Sequence, residues 1–374
     1  MTSFELKFKT MKTTDIDTDR RAPLKTALVV GANGVIGSTL IEHLVELDEW
    51  NIIGLSRRGG QDSKQLKFIS VDLLDAADTR SKLAHLNDVT HIFYAAFQDR
   101  PSWAEMVPPN LAMLVNVVEA IEPIAKKLVH ISLMQGYKVY GAHLGPFKTP
   151  AKESDQGHMP PEFNVDQQEF LEKLQKGKKW TWSAIRPSVV GGTALGNPMN
   201  LVLAIAVYAS ISKELNIPLR FPGKPGAYDK IMEMTDGGLL AKATVWAATE
   251  PRCANHAFNI TNGDLFRWNE MWLDIAGFFK LEVAPPLHMS LQSVMADKAG
   301  LWQDMQEKYD LKKHNYEEVS SWGFADGVFS WDYDFFGDGS KARRFGFHEY
   351  VETKEMFFHM FEKLMAEGII PEVK

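Results

Sequence analysis

Short, unbroken apolar runs recur through the first half of the chain, each followed by residues with helical spacing. Residues 27–30, 51–55, 67–71, 91–96, 128–133 and 180–185 read as strands buried on both faces. Between them, Leu40, Ile41, Leu44 and Val45 share one face of a helix over 38–46, and 110–126 reads as an amphipathic helix. Strands alternating with helices predict an α/β fold with a doubly wound parallel sheet of Rossmann type, its ligand at the carboxyl ends of the strands. The longest apolar stretch, 199–211, is thirteen residues including Asn200, Tyr208 and Ser210. A membrane span needs about 20 residues, so this stretch predicts a buried helix, continuing to Leu215. Thr235 and Asp236 read as the cap of a helix over 237–247.

These patterns predict a flexible arm over 1–25 and a nucleotide-binding domain over 26–190, to which 235–265 returns. Segments 191–234 and 266–374 then form a smaller, mainly helical substrate-binding lobe. Dense aromatics there, among them Trp302, Trp322, Phe329, Trp331, Tyr333 and Phe335, are expected mostly in the core, with some lining an apolar pocket.

Composition narrows the function. The 374 residues include 10 Trp and 22 Phe, which excludes whole-chain disorder. Lys+Arg is 41 against Asp+Glu 48, a net charge of -7, which argues against a nucleic acid partner. Cys253 is the single cysteine, as expected in a reducing compartment. The first 25 residues hold no apolar signal segment, so a cytoplasmic location without membrane attachment is expected. No H-E-x-x-H or Cys/His ligand set occurs, so no metal site is expected, and no G-x-S-x-G suggests serine hydrolysis.

The sharpest chemical signal follows the first strand. Gly31, Gly34 and Gly37, with Asn33, Val35 and Ile36 between them, form a G-x-x-G-x-x-G at a strand-to-helix junction. Small residues there let backbone N–H groups approach a pyrophosphate, and the helix N-terminus adds partial positive charge. A tight turn without ligand is the alternative. The second strand ends in Ser56, Arg57 and Arg58, 19 residues past Gly37 at its first residue. An NAD site would usually place an acidic residue there, whereas arginines suit a 2′-phosphate and predict NADPH/NADP+. Solvated loop charges are the alternative. Other cofactor contacts are expected at the remaining strand ends: Asp72 and Leu73, Ala95 and Ala96, Pro187, Val189 and Val190, and Lys138. Asp72 also reads as a helix cap.

A nicotinamide enzyme needs a group to stabilise the oxygen that gains charge as hydride arrives. A Tyr followed four residues later by Lys is the usual solution. The pairs Tyr309/Lys313 and Tyr350/Lys354 lie far from the cofactor half and read as surface helix residues. Lys138 instead falls just beyond the carboxyl end of the fifth strand, where chemistry is expected.

At this point the chain resembles the progesterone 5β-reductase/iridoid synthase family, an atypical branch of the short-chain dehydrogenases. The resemblance is carried by the Gly31 turn, by Ser56-Arg57-Arg58, by Thr90 to Tyr94 and by Asn110 to Leu114. It continues through Ile131 to Tyr140, which is similar to I-S-L-Q-T-G-x-K-H-Y, and Gly145-Pro146-Phe147. Thr181 to Pro187, Met199 to Leu201, Phe258 to Asp264 and Phe345 to Phe347 also correspond, so it runs from about Leu24 to Pro371. The resemblance implies an atypical extended short-chain dehydrogenase and NADPH-dependent 1,4-reduction of a small apolar enone or enal. In such a site a Lys and a Tyr hold the enolate oxygen. A homodimer is expected from the family alone. Lys138 carries over; the Tyr does not. The family's N-F-Y-Y segment becomes Glu162-Phe163-Asn164-Val165, so Val165, or Asn164 one residue earlier, holds the Tyr position. Asn164 retains an amide donor. Tyr140 and Tyr137 flank Lys138, and in an extended segment Tyr140 would share its face. The rival readings are an NADPH-dependent carbonyl or imine reductase and a non-catalytic NADP(H)-sensing protein.

Overall fold

The apolar runs are unbroken because the sheet they form is covered on both faces. The computed structural model describes residues 24–373. Its centre is a seven-stranded sheet of β1 (Lys25–Val30), β2 (Trp50–Ser56), β3 (Leu66–Ser70), β4 (His91–Tyr94), β5 (His130–Met134), β6 (Thr181–Pro187) and the later strand His256–Ile260. The order is His256–Ile260, β6, β5, β4, β1, β2, β3, and every pairing is parallel. The helices that cover it and build the second body are α1 (Val35–Glu46), α2 (Ala76–Leu83), α3 (Trp103–Ile121), α4 (Phe163–Gln175), α5 (Leu201–Glu214), α6 (Gly237–Thr249) and α7 (Trp268–Phe278).

Successive β1 side chains serve opposite faces. Leu28 and Val30 pack with Leu83, Leu114, Val117 and Leu171 from α2, α3 and α4. Ala27 and Val29 pack with Leu40, Leu44, Ala241 and Val245 from α1 and α6. The strand order reverses between β1 and β4, which opens a crevice at their carboxyl ends. A second, mainly helical core joins Leu203 and Val207 of α5, Trp268 and Trp272 of α7, and Phe357 and Phe361 of the C-terminal helix Thr353–Ala366. Trp302, Trp322, Phe329 and Phe335 are buried in that core, so these late aromatics hold the lobe together.

Helix caps account for several boundaries. Asp236 Oδ1 accepts from Leu239 N (2.8 Å), so the cap predicted for α6 is present, and the helix runs to Thr249. Asn200 Oδ1 accepts from Leu203 N (3.1 Å) and starts α5, which is buried along nearly its whole length.

Other expectations are corrected. The helix expected from residue 110 begins seven residues earlier, at Trp103. Ser102 accepts from Glu105 N and donates to the Glu105 carboxylate (2.8 Å), a reciprocal cap that starts the helix despite Pro108 and Pro109 inside it. The helix cap near Asp72 is Asp75, which accepts from Ala77 N and Asp78 N, while Asp72 accepts from Leu74 N in the preceding turn. Tyr309 and Tyr350 are surface residues but lie outside helices, the first just after the helix Ala299–Lys308, the second before Thr353–Ala366. Of the expected arm, residues 1–23 lie outside the described residues, and Lys25 already belongs to β1. Among the described residues no helix is long and apolar enough to cross a membrane.

Candidate active site

The glycines of the β1–α1 turn differ in what they permit. Gly31 has φ +90°, and a Cβ there would stand 2.8 Å from the Ala95 carbonyl oxygen. A Cβ on Gly37 would stand 2.2 Å from the Gly31 oxygen. Both glycines are demanded by backbone packing between β1, β4 and α1. Gly34 is different: the nearest atoms to its Cβ position are the Gly31 oxygen at 3.4 Å and Asn197 Nδ2 at 3.6 Å. α1 opens with no side-chain cap. Its first N–H groups are therefore left for water or an anionic ligand.

The arginine pair sits beside this cradle. Asn33 Nδ2 donates to Ser56 Oγ (3.1 Å) and to the Gly59 oxygen (2.8 Å), and Ser56 Oγ donates to the same oxygen (2.8 Å). Asn33 and Ser56 thus fix the turn that presents Arg57 and Arg58. Both arginines are exposed, and neither guanidinium makes a hydrogen bond or ion pair among the described residues. An exposed, unpaired guanidinium is free to bind phosphate in two-pronged fashion. Asp72, Leu73, Ala95, Ala96, Pro187, Val189 and Val190 follow β3, β4 and β6 or close them, and so line the same carboxyl edge. The residues present therefore fit a dinucleotide with an extra phosphate on its ribose.

Lys138 is set by the chain reversal after β5. Gln135 and Gly136 lead into a single 3-10 turn, Tyr137–Tyr140, and Gly141 ends it with φ +76°. This corrects the extended conformation expected there. The turn sends Lys138 away from its two tyrosines. Tyr137 donates to the buried Glu233 carboxylate (2.5 Å). Tyr140 donates to Asn259 Oδ1 (2.5 Å) and accepts from Arg186 Nη1 (3.1 Å). Both phenols are buried and committed, and burial pushes the Tyr140 hydroxyl up to about 12. Tyr140 therefore does not stand beside Lys138 as a free donor.

Arg186 is fully buried and forms five hydrogen bonds, to Gln135, Tyr140, the Glu153 carbonyl, Gln156 and Gln168. Gln135 in turn donates to the Asn164 carbonyl (2.9 Å). One guanidinium thereby ties the Lys138 turn to the start of α4. A cavity of about 460 Å³ lies behind it, lined by Trp182, His256, Lys341 and Arg344 among others, and does not reach Lys138.

The Lys138 ammonium stands in an aromatic corner. It lies 4.8 Å from the Trp103 ring centre, 5.3 Å from Phe97 and 6.0 Å from Phe163. It makes no hydrogen bond or ion pair among the described residues. Burial lowers its pKa, and the charges of Glu162 and Asp99 oppose that shift. Glu162 caps α4, accepting from Asn164 N (3.2 Å), Asn164 Nδ2 (2.7 Å) and Val165 N (3.2 Å). Burial raises the Glu162 pKa against these hydrogen bonds. Asn164 thus spends one amide hydrogen on Glu162, and Val165 is half-buried in the first turn of α4.

Sequence reasoning missed four residues of this corner: Phe97, Trp103, Phe163 and His143. His143 packs edge-on against Trp103 (4.4 Å between ring centres) and lies 5.3 Å from His158. Its available signal was a histidine between two glycines, Gly141 and Gly145, five residues after Lys138.

With this geometry described, comparison with known proteins is informative. Residues 64–371 match the family model for a PRISE-like Rossmann-fold domain. The chain is 32% identical over 382 residues to 3-oxo-Delta(4,5)-steroid 5-beta-reductase of Arabidopsis thaliana, covering 96% of this chain and 97% of that protein. It is 34% identical over 379 residues to an (S)-8-oxocitronellyl enol synthase of Nepeta racemosa, covering 96% and 97%. In fold it is similar to the Bordetella bronchiseptica enzyme WbmH, solved in complex with NAD+, with a TM-score of 0.63 and 16% identity over 92% of this chain and 99% of that chain. With a family match over most of its length and relatives at this identity, the chain belongs to the PRISE-like Rossmann-fold family.

Proposed function

We propose that the protein is an NADPH-dependent reductase that adds hydride to the β-carbon of a small, apolar enone or enal. One observation carries the reading: an unpaired ammonium, Lys138, held in an aromatic corner at the same sheet edge as the nucleotide cradle. The names of its relatives, a steroid 5β-reductase and an enol synthase, favour this chemistry.

A bound NADPH supplies the hydride. The cradle at Gly34 and the open end of α1 take its pyrophosphate, while Arg57 and Arg58 take the 2′-phosphate. Lys138 holds the substrate oxygen as that oxygen gains negative charge. Phe97, Trp103 and Phe163 exclude water, which strengthens the interaction between ammonium and oxygen. The α-carbon then takes its proton from water. We assign segments 191–234 and 266–374 to the substrate end of the cleft.

Carbonyl reduction is the second reading. It would need a proton for the alkoxide, which the committed phenols of Tyr137 and Tyr140 do not offer, so the enolate reading stands first. Stereospecifically 4-deuterated NADPH with a conjugated enal separates the readings. Deuterium on the β-carbon is expected. Deuterium on the carbinol carbon would replace the proposal by the second reading. NADPH binding without transfer to any acceptor would favour a sensor.

A further inference from the structure

We propose that His143 is the second donor to the substrate oxygen, filling the role left open by Val165. This rests on the reduction reading above. Hydride arriving at the β-carbon pushes the C=C electron pair toward the carbonyl, and the oxygen becomes an enolate. Two donors then hold that oxygen, the Lys138 ammonium and a His143 N–H, and no proton needs to move to it.

The argument begins with what is uncommitted. The Tyr137 hydroxyl donates to Glu233, the Tyr140 hydroxyl to Asn259, and one of the two Asn164 amide hydrogens to Glu162. Val165 has no donor on its side chain. His143 has polar atoms without a partner: its Nδ1 is buried and makes no hydrogen bond. A buried, unpaired nitrogen is a cost that a bound oxygen would relieve. The loop that carries it is bounded by two glycines in left-handed backbone conformations. Gly141 turns out of the 3-10 helix at φ +76°, and Gly145 follows at φ +137°.

Position supports the same role. Lys138 Nζ and the His143 ring both rest on the Trp103 indole, at 4.8 and 4.4 Å. Both groups thus border the same ring, and the Lys138 charge is felt at His143, as a shared substrate oxygen requires. The groups facing His143 are His158 and Lys138, and Glu162 and Asp99 act in turn on Lys138. His158 Nδ1 lies 2.8 Å from the Met159 carbonyl, which can only accept, so His158 donates from Nδ1 there. Burial, then the charges of His158 and Lys138, push the His143 pKa down to about 4. His143 is therefore neutral at pH 7 and acts by hydrogen bonding, while the positive charge stays on Lys138.

The test compares His143→Phe, His143→Gln and His143→Phe combined with Val165→Tyr. Turnover is read with 4-deuterated NADPH and a conjugated enal, and NADPH affinity by fluorescence. A second readout is the affinity for 4-nitrophenol, whose oxyanion mimics the enolate, in the protein saturated with NADP+. Removing one such donor typically costs about 10²- to 10³-fold in rate. His143→Phe is expected to lose that factor in kcat at unchanged NADPH affinity, and to bind 4-nitrophenol at least tenfold more weakly. His143→Gln keeps an N–H and should stay within about tenfold of wild type in both. Val165→Tyr should restore rate to the His143→Phe protein. Equal kcat in wild type and His143→Phe, or an equal loss of 4-nitrophenol affinity in the Gln and Phe variants, would overturn the role of His143. A wild-type protein that transfers no deuterium to the β-carbon would overturn the reduction reading instead, and the 4-nitrophenol titration would still decide His143.

Discussion

The two ends of the cleft treat charge in opposite ways. At the proposed nucleotide end, Arg57 and Arg58 are exposed and make no hydrogen bond or ion pair among the described residues, and α1 begins without a side-chain cap. At the reaction end, Lys138 is packed among Phe97, Trp103 and Phe163. Behind it, the buried Arg186 has five hydrogen bonds and nothing to spare. The difference fits the roles proposed for the two ends. A phosphate arrives already charged, and solvated guanidiniums bind it at small desolvation cost. A charge that develops only during reaction is best stabilised by a preorganised donor in low dielectric.

Five variants bear on this contrast, from the largest expected effect downward. Gly37→Ala forces a Cβ to 2.2 Å from a backbone oxygen that cannot move aside. It should cost about 3 kcal/mol or more in unfolding free energy, read by denaturant titration. Gly34→Ala has room at 3.4 Å and should leave stability nearly unchanged while weakening NADPH binding. If both behave alike, Gly34 is not part of a ligand cradle.

Lys138→Met should lower kcat by about 10²- to 10³-fold with little change in melting temperature, because the ammonium makes no hydrogen bond or ion pair among the described residues and the Met side chain keeps the packing against the rings. A large loss of stability instead would make Lys138 structural.

Converting Arg57 and Arg58 together to Ser should weaken NADPH binding by roughly 10- to 100-fold and leave NADH affinity almost untouched, measured by fluorescence titration. Equal effects on both cofactors would remove the 2′-phosphate assignment. The smallest effect concerns the aromatic wall. Ser102→Ala removes the cap of α3 and should cost about 1 kcal/mol, with a modest fall in kcat as Trp103 loosens.

The strand–turn–helix unit that carries the proposed nucleotide cradle was largely legible in the chain. The spacing of Gly31, Gly34 and Gly37 between a strand and a helix, and the two arginines closing the next strand, are local features whose geometry the fold then supplies. Lys138 could be found because it follows a strand. Its neighbours could not. Phe97 and Trp103 lie about 35 to 41 residues before it and Phe163 lies 25 after, and no spacing rule connects them. Pro108 and Pro109 also hid the true start of α3, which the Ser102–Glu105 cap decides. Tyr140 was misplaced for a single reason: an extended segment alternates its faces, whereas the 3-10 turn actually formed sends Lys138 and Tyr140 to different surroundings.

By itself the sequence determined the layered α/β fold, the glycine turn between strand and helix and the cationic strand end, because each rests on hydrophobic period or on contacts within one strand–turn–helix unit. Only the tertiary structure decided which polar atoms are spent and which remain free. The Tyr137 hydroxyl is taken by Glu233, 96 residues away, and that of Tyr140 by Asn259, 119 residues away. His143 Nδ1 is left without a partner. Whether a buried donor is available depends on everything packed around it, and that packing joins residues the chain keeps far apart.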